Sequence, residues 1–95
     1  MKAETGKTQW RLLPFDALEQ VARAFMFGNS KEGRKPDDWQ LVPNKREAYF
    51  DACMRHLTAW WRGGGRDGES GLSHLAHAAC CILILLWDEI RGGGK

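Results

Sequence analysis

Residues 72–91 contain neither Pro nor Gly, and Gly92, Gly93 and Gly94 close the run. The spacing predicts one helix across 69–88, about 20 residues long, with Ser70 as its N-cap. Its second half, 78–87, reads AACCILILLW and is apolar on every side. A helix apolar all round must be covered all round. In a chain of 95 residues that covering takes most of the other helices and a second subunit. The first half differs. His74 and His77 stand one turn apart, shortly after Asp67 and Glu69. Metal-capable side chains thus gather at the mouth of the most buried element.

Two shorter amphipathic helices precede it. Pro14 suits a first helical turn, and Leu18, Val21, Ala22 and Phe25 follow at i, i+3, i+4 and i+7. These predict a helix over about 14–27, ended by Gly28 and Asn29. A second is predicted over 45–61, capped by Asn44. Tyr49, Phe50, Cys53, Leu57, Trp60 and Trp61 line its apolar side, with His56 at the stripe's edge. No β-type alternation is present. The chain therefore reads as one all-α domain over 1–95. It comprises a polar arm (1–13), a long loop (28–44), a Gly-rich loop (62–70) and three up-down helices, the third at the centre. Trp10, Leu12 and Leu13 suggest that the arm docks across the helices. The loop at 28–44 is long for a compact domain, and loops of that length are usually functional or disordered. It carries Lys31, Arg34 and Lys35, then Trp39.

The totals narrow the field. Hydrophobic residues make up 43% and charged residues 27%, ordinary for a soluble globular protein. A net charge of +2 gives nucleic acid no strong electrostatic hold. Five Trp imply aromatic contacts in a core, an interface or a ring-binding pocket. Three Cys, two of them adjacent in an apolar helix, argue against a disulfide framework and for a reducing cytoplasm. The first residues lack a signal-peptide core. The 78–87 run is about half the length needed to cross a bilayer.

His74, His77 and Cys81 share a helical face at a spacing that zinc accepts, but no CxxC or HExxH pattern supports them. Asp67, Glu69 and His56, brought together across the hairpin, suit a hard divalent cation such as Mg²⁺ or Mn²⁺. A cation there would clamp phosphate oxygens and activate water. The bland reading of the same residues is carboxylates facing a positive helix terminus and a boundary histidine. No P-loop, GxGxxG or GxSxG pattern is present.

Three blocks carry a resemblance. GKTQWRLLPFDALEQVARAFMFG, then AYFDACMRHLTAWWRGG, then DGESGLSHLAHAACCILILL are similar to the phage and bacterial family of the dATP/dGTP diphosphohydrolase N-terminal domain. The last block, with Asp67, Glu69, Ser70, Gly71, His74 and His77, is the most specific. The resemblance implies cleavage of purine deoxynucleoside triphosphates to monophosphate and pyrophosphate with a divalent metal. It also implies a helical architecture similar to the MazG-like pyrophosphohydrolases, which work as dimers or tetramers. Those enzymes hold metal with E-x-x-E and E-x-x-D helices, where this chain has Arg55, His56 and His74-x-x-His77. Position by position, the resemblance assigns metal binding to Asp67, Glu69, His56, His74 and His77, with Glu69, His74 and His77 catalytic. It assigns phosphate and base contacts to Lys7, Trp10, Lys31, Trp39 and Arg55. Two functional expectations stand side by side: a metal-dependent nucleotide pyrophosphohydrolase, or a non-catalytic helical module that binds nucleotides or proteins. A helix-on-helix homodimer is expected in either case.

Overall fold

The computed structural model describes residues 6–29, 35 and 37–93. These form three α-helices, α1 (Phe15–Asn29), α2 (Lys45–Trp61) and α3 (His74–Ile90), with 3-10 turns at Trp10–Leu12 and Asp38–Leu41. No strand occurs among the described residues. An isolated antiparallel bridge joins Arg66 to Ser73 in the hairpin between α2 and α3. The fold is all-α, and α3 is its centre, packed against both α2 and α1. No described helix is long and apolar enough to cross a membrane.

The buried side chains are small. Val21 and Ala24 come from α1, Cys53 from α2, and Ala76, Ala78, Cys81 and Ile84 from α3. Small residues let the helix axes approach closely, so the layer between α2 and α3 is thin. Its centre is Cys53, Ala78 and Cys81, flanked by Tyr49, Ala52 and Leu57. Burial pushes the Cys81 thiol up to about 11, with Cys53 beside it adding to the effect. Cys81 lies in the core, and among the described residues it does not join His74 and His77 in a metal-capable cluster.

Several local expectations shift by one helical step. α3 begins at His74 and not near Ser70. Ser73 is the N-cap, its side chain accepting the Leu75 N–H at 3.0 Å. Ser70 is instead part of the preceding turn. Asn44 does precede α2, but it sits in the left-handed region at φ 54° and makes no side-chain cap. On α1, Ala24 faces inward and Ala22 outward. On α2, Phe50, Trp60 and Trp61 are exposed, at 55%, 42% and 80%, and the inward side is carried by Tyr49, Ala52, Cys53 and Leu57. The arm's Trp10 and Leu12 remain 68% and 73% exposed, so these side chains do not form the expected clasp.

Candidate functional site

The hairpin between α2 and α3 is built by backbone constraints. Gly63 and Gly65 adopt φ of 90° and 67°, a region that side chains with a Cβ rarely enter. Gly64 is required for space: a Cβ there would stand 2.8 Å from the Ala59 carbonyl oxygen and 3.5 Å from His74 Nε2. The chain then closes through Asp67 N–H to Leu72 O at 2.7 Å and His74 N–H to Gly65 O at 2.9 Å. This places Asp67 beside the start of α3, opposite the third turn of α2.

Three side chains meet there. His56 of α2, Asp67 of the turn and His74 of α3 each offer one ligand atom within 4.8 Å of the other two. His56 Nδ1 and His74 Nδ1 stand 3.0 Å apart. Two ligands about 2.1 Å from one ion and 90° apart would be separated by about 3.0 Å. The observed spacing therefore fits a shared cation, as it also fits a donor–acceptor pair of neutral imidazoles. The carboxylate suits hard cations such as Mg²⁺ and Mn²⁺, while two imidazole nitrogens suit transition ions.

The electrostatics favour the ligating forms. Burial, then the neighbouring imidazoles of His77 and His74, pushes the His56 pKa below the ordinary histidine value, which keeps a lone pair free. Burial opposes ionisation of Asp67, but hydrogen bonds from Ser70 and the Glu69 N–H outweigh it and hold the pKa below the usual carboxylate value. Both N–H groups reach Oδ2, at 2.9 Å from Ser70 and 3.1 Å from Glu69.

Around this point lies a second tier. The His77 ring stacks on His56, with centroids 4.7 Å apart and planes 14° apart. Its Nε2 is 2.7 Å from Ser70 Oγ. Ser70 Oγ also accepts the Leu72 N–H, so the serine ties the turn to α3. Glu69 is exposed and, like His77, lines a cavity of about 230 Å³ beside the triad. The far wall of that cavity is aromatic, formed by Phe25, Phe27, Trp39 and Tyr49. A wider open groove of about 750 Å³ lies at the opposite end of the α2–α3 hairpin, lined by Arg46, Phe50, Asp51, Leu85 and Asp88 among others. It holds none of the histidines.

Of the residues singled out from the sequence, His56, Asp67 and His74 converge, while Glu69, His77 and Trp39 line the adjoining cavity. Arg55 is exposed on α2 and lies near enough to act electrostatically on His56. Lys7 and Trp10 are exposed in the arm. Lys31 lies outside the described residues. Sequence reasoning did not single out Ser70 as a partner of His77, or Phe25, Phe27 and Tyr49 as cavity walls. The D-x-E-S spacing, in which an Asp side chain caps its own turn, was the signal for the first. Nothing local marked the second.

Comparison with known proteins follows the same line. The family described as "dATP/dGTP diphosphohydrolase, N-terminal" matches residues 1–95. A protein of Salmonella phage PMBT28 named "dATP/dGTP diphosphohydrolase" is 34% identical over 87 residues. That match covers 92% of this chain but 29% of the phage protein, so the chain spans under a third of that relative. No solved structure matches. With the match running from the arm to the end of α3, the chain belongs to the dATP/dGTP diphosphohydrolase N-terminal family.

Proposed function

We propose that this domain hydrolyses purine deoxynucleoside triphosphates to the monophosphate and pyrophosphate, using a divalent cation held by His56, Asp67 and His74. The observation that carries the reading is the convergence of those three ligand atoms next to an aromatic-walled cavity. The family match supports the substrate class.

The two imidazoles and the carboxylate are the donor set, and a bound cation would supply charge neutralisation for phosphate oxygens and a lower pKa for water. The chain's own residues do the rest. Hydrogen bonds from the turn hold Asp67 ionised and aimed. Ser70 fixes the orientation of His77, which can take a proton from water or donate to a phosphate oxygen. Glu69, on the same rim, is a second acceptor for a water proton. Arg55 adds positive charge at the mouth. The base enters the wall of Phe25, Phe27, Trp39 and Tyr49, where a flat ring gains both burial and ring–ring contact.

Purified protein incubated with dATP, dGTP, dCTP or dTTP and Mn²⁺ or Mg²⁺, with products separated by chromatography, tests this. Monophosphate and pyrophosphate from the purine substrates, lost in His74→Ala, are expected. A folded protein that binds dGTP with Mn²⁺ yet releases no product would leave a binding module in place of an enzyme.

A further inference from the structure

Of the aromatic residues that wall the small cavity, Phe25, Phe27 and Tyr49 stand on α1 and α2, and Trp39 stands on the short 3-10 turn Asp38–Leu41. No residue of that turn is buried. Its hydrogen bonds are local. The Asp38 carboxylate accepts the Lys35 N–H at 2.8 Å, and the Asp37 carbonyl accepts the Gln40 N–H at 2.9 Å. Bonds of that kind shape a turn without fixing where it sits on the helices. The rings supply that. The Trp39 indole meets Phe25 of α1 at a centroid distance of 5.7 Å and Trp87 of α3 at 4.9 Å, each edge to face. Edge-to-face contact depends on orientation, so an indole held this way on two sides presents a set face.

Trp87 does not line the cavity. It stands in the last turn of α3, and Arg91 braces it. The Arg91 guanidinium lies 4.1 Å from the indole centroid, and its Nη1 donates to the Trp87 carbonyl at 3.1 Å. A planar guanidinium makes both contacts at once, stacking on the ring while its edge reaches the oxygen. Gly92, at φ 84°, turns the chain away directly afterwards. We propose that Trp87 and Arg91 are positioning residues for the base. Braced by Arg91, Trp87 holds Trp39 in the cavity wall, and so base affinity is set in part from outside the cavity. This rests on the reading above that the base of a nucleotide enters that wall. It adds two residues that touch neither the cation site nor the cavity.

Calorimetric titration of the full 95-residue chain, with Mn²⁺ present, tests this with two probes. One is dGTP, and the other is inorganic tripolyphosphate, which has the phosphates and no base. Trp87→Leu keeps an apolar side chain and removes the ring partner. Its affinity for dGTP is expected to fall about fivefold, the fold-change that one aromatic pair represents, with tripolyphosphate binding unchanged. Trp87→Phe restores an edge-to-face partner and should recover most of the loss. Arg91→Gln, with no cation to lay on the ring, should weaken dGTP alone by about twofold to threefold. A folded Trp87→Leu that binds dGTP as tightly as wild type overturns the proposal. Equal losses for both probes overturn it too, since they mark a general loosening of the site, as does a Phe variant no better than the Leu variant. Should Trp87→Leu fail to fold, the exposed Arg91 decides, and an Arg91→Gln chain with wild-type dGTP affinity overturns the proposal. A wild-type chain that binds no dGTP overturns the nucleotide reading and this inference with it. Normal dGTP binding that no variant alters overturns this inference alone.

Discussion

The two ends of α3 are held by different physics. At its start, His74 and His77 sit in a net of directed bonds: Ser73 on Leu75, Gly65 on His74, Ser70 on His77, Asp67 on Ser70. Past its middle, Ile84 is held by undirected burial, with 3% of its surface exposed, where it also lines the cavity's apolar side. Directed bonds fix an atom to within tenths of an ångström, which a ligand set needs. Burial fixes a helix in place but leaves the choice of apolar side chain open. The difference predicts that the start is sensitive in function and the end in stability.

The strongest way to break that division is Ile84→Ala. It should cost about 3 kcal/mol in chemical denaturation, from lost burial and the cavity left behind. The Mn²⁺ affinity of the folded fraction should stay within a factor of two, read by calorimetry. His74→Ala should do the reverse. Mn²⁺ affinity is expected to fall about 100-fold, and the midpoint of unfolding without metal should hardly move. If both variants changed both quantities alike, the two ends would be one unit.

Gly64→Ala sharpens the boundary between them. Its Cβ would press on the Ala59 carbonyl at 2.8 Å, and that backbone atom has nowhere to go. A loss of about 2 kcal/mol is expected, together with weaker Mn²⁺ binding, because the same glycine lies against His74. Ser70→Ala removes the acceptor of the Leu72 N–H and the partner of His77. About 1 kcal/mol is expected from stability, with a larger proportional loss of turnover.

The smallest effect concerns acidity. His56 has a lowered pKa in the folded state. As pH falls below the ordinary histidine value of about 6.5, the unfolded chain takes up that proton first, and stability declines until the folded imidazole titrates too. Thermal midpoints should be flat from pH 8 to 7 and should fall below about 6.5. His56→Ala should flatten that part of the slope.

The fold was largely legible because helices announce themselves by period. The span 45–61 matched α2 residue for residue, and 14–27 differed from α1 by one or two at each end. What periodicity does not give is phase. Ala22 and Ala24 are the same residue, and only packing against α3 decides which is buried. Ser70 and Ser73 both suit an N-cap; Ser73 takes the role, accepting the Leu75 N–H, while the His74 N–H donates to the Gly65 carbonyl. At the site, the last sequence block pointed to Asp67 and His74. Their meeting with His56, 18 residues before His74, depends on the width of a hairpin set by glycine conformations. The aromatic wall draws on α1, α2 and the Asp38–Leu41 turn, and no spacing within one segment encodes it.

Phe25, Trp39 and Trp87 form successive edge-to-face pairs, with centroids 5.7 and 4.9 Å apart, and the Arg91 guanidinium lies 4.1 Å over Trp87. Two indoles that close, with planes 75° apart, couple their electronic transitions. The turn that bears Trp39 is therefore expected to give an exciton couplet in far-ultraviolet circular dichroism, where the strong indole transition lies. Trp60 and Trp61 form a second pair, with centroids 6.3 Å and planes 46° apart, so Trp61→Phe is needed to isolate the Trp39–Trp87 contribution. That couplet would follow the cavity's wall in real time, with no label attached, as a nucleotide is added.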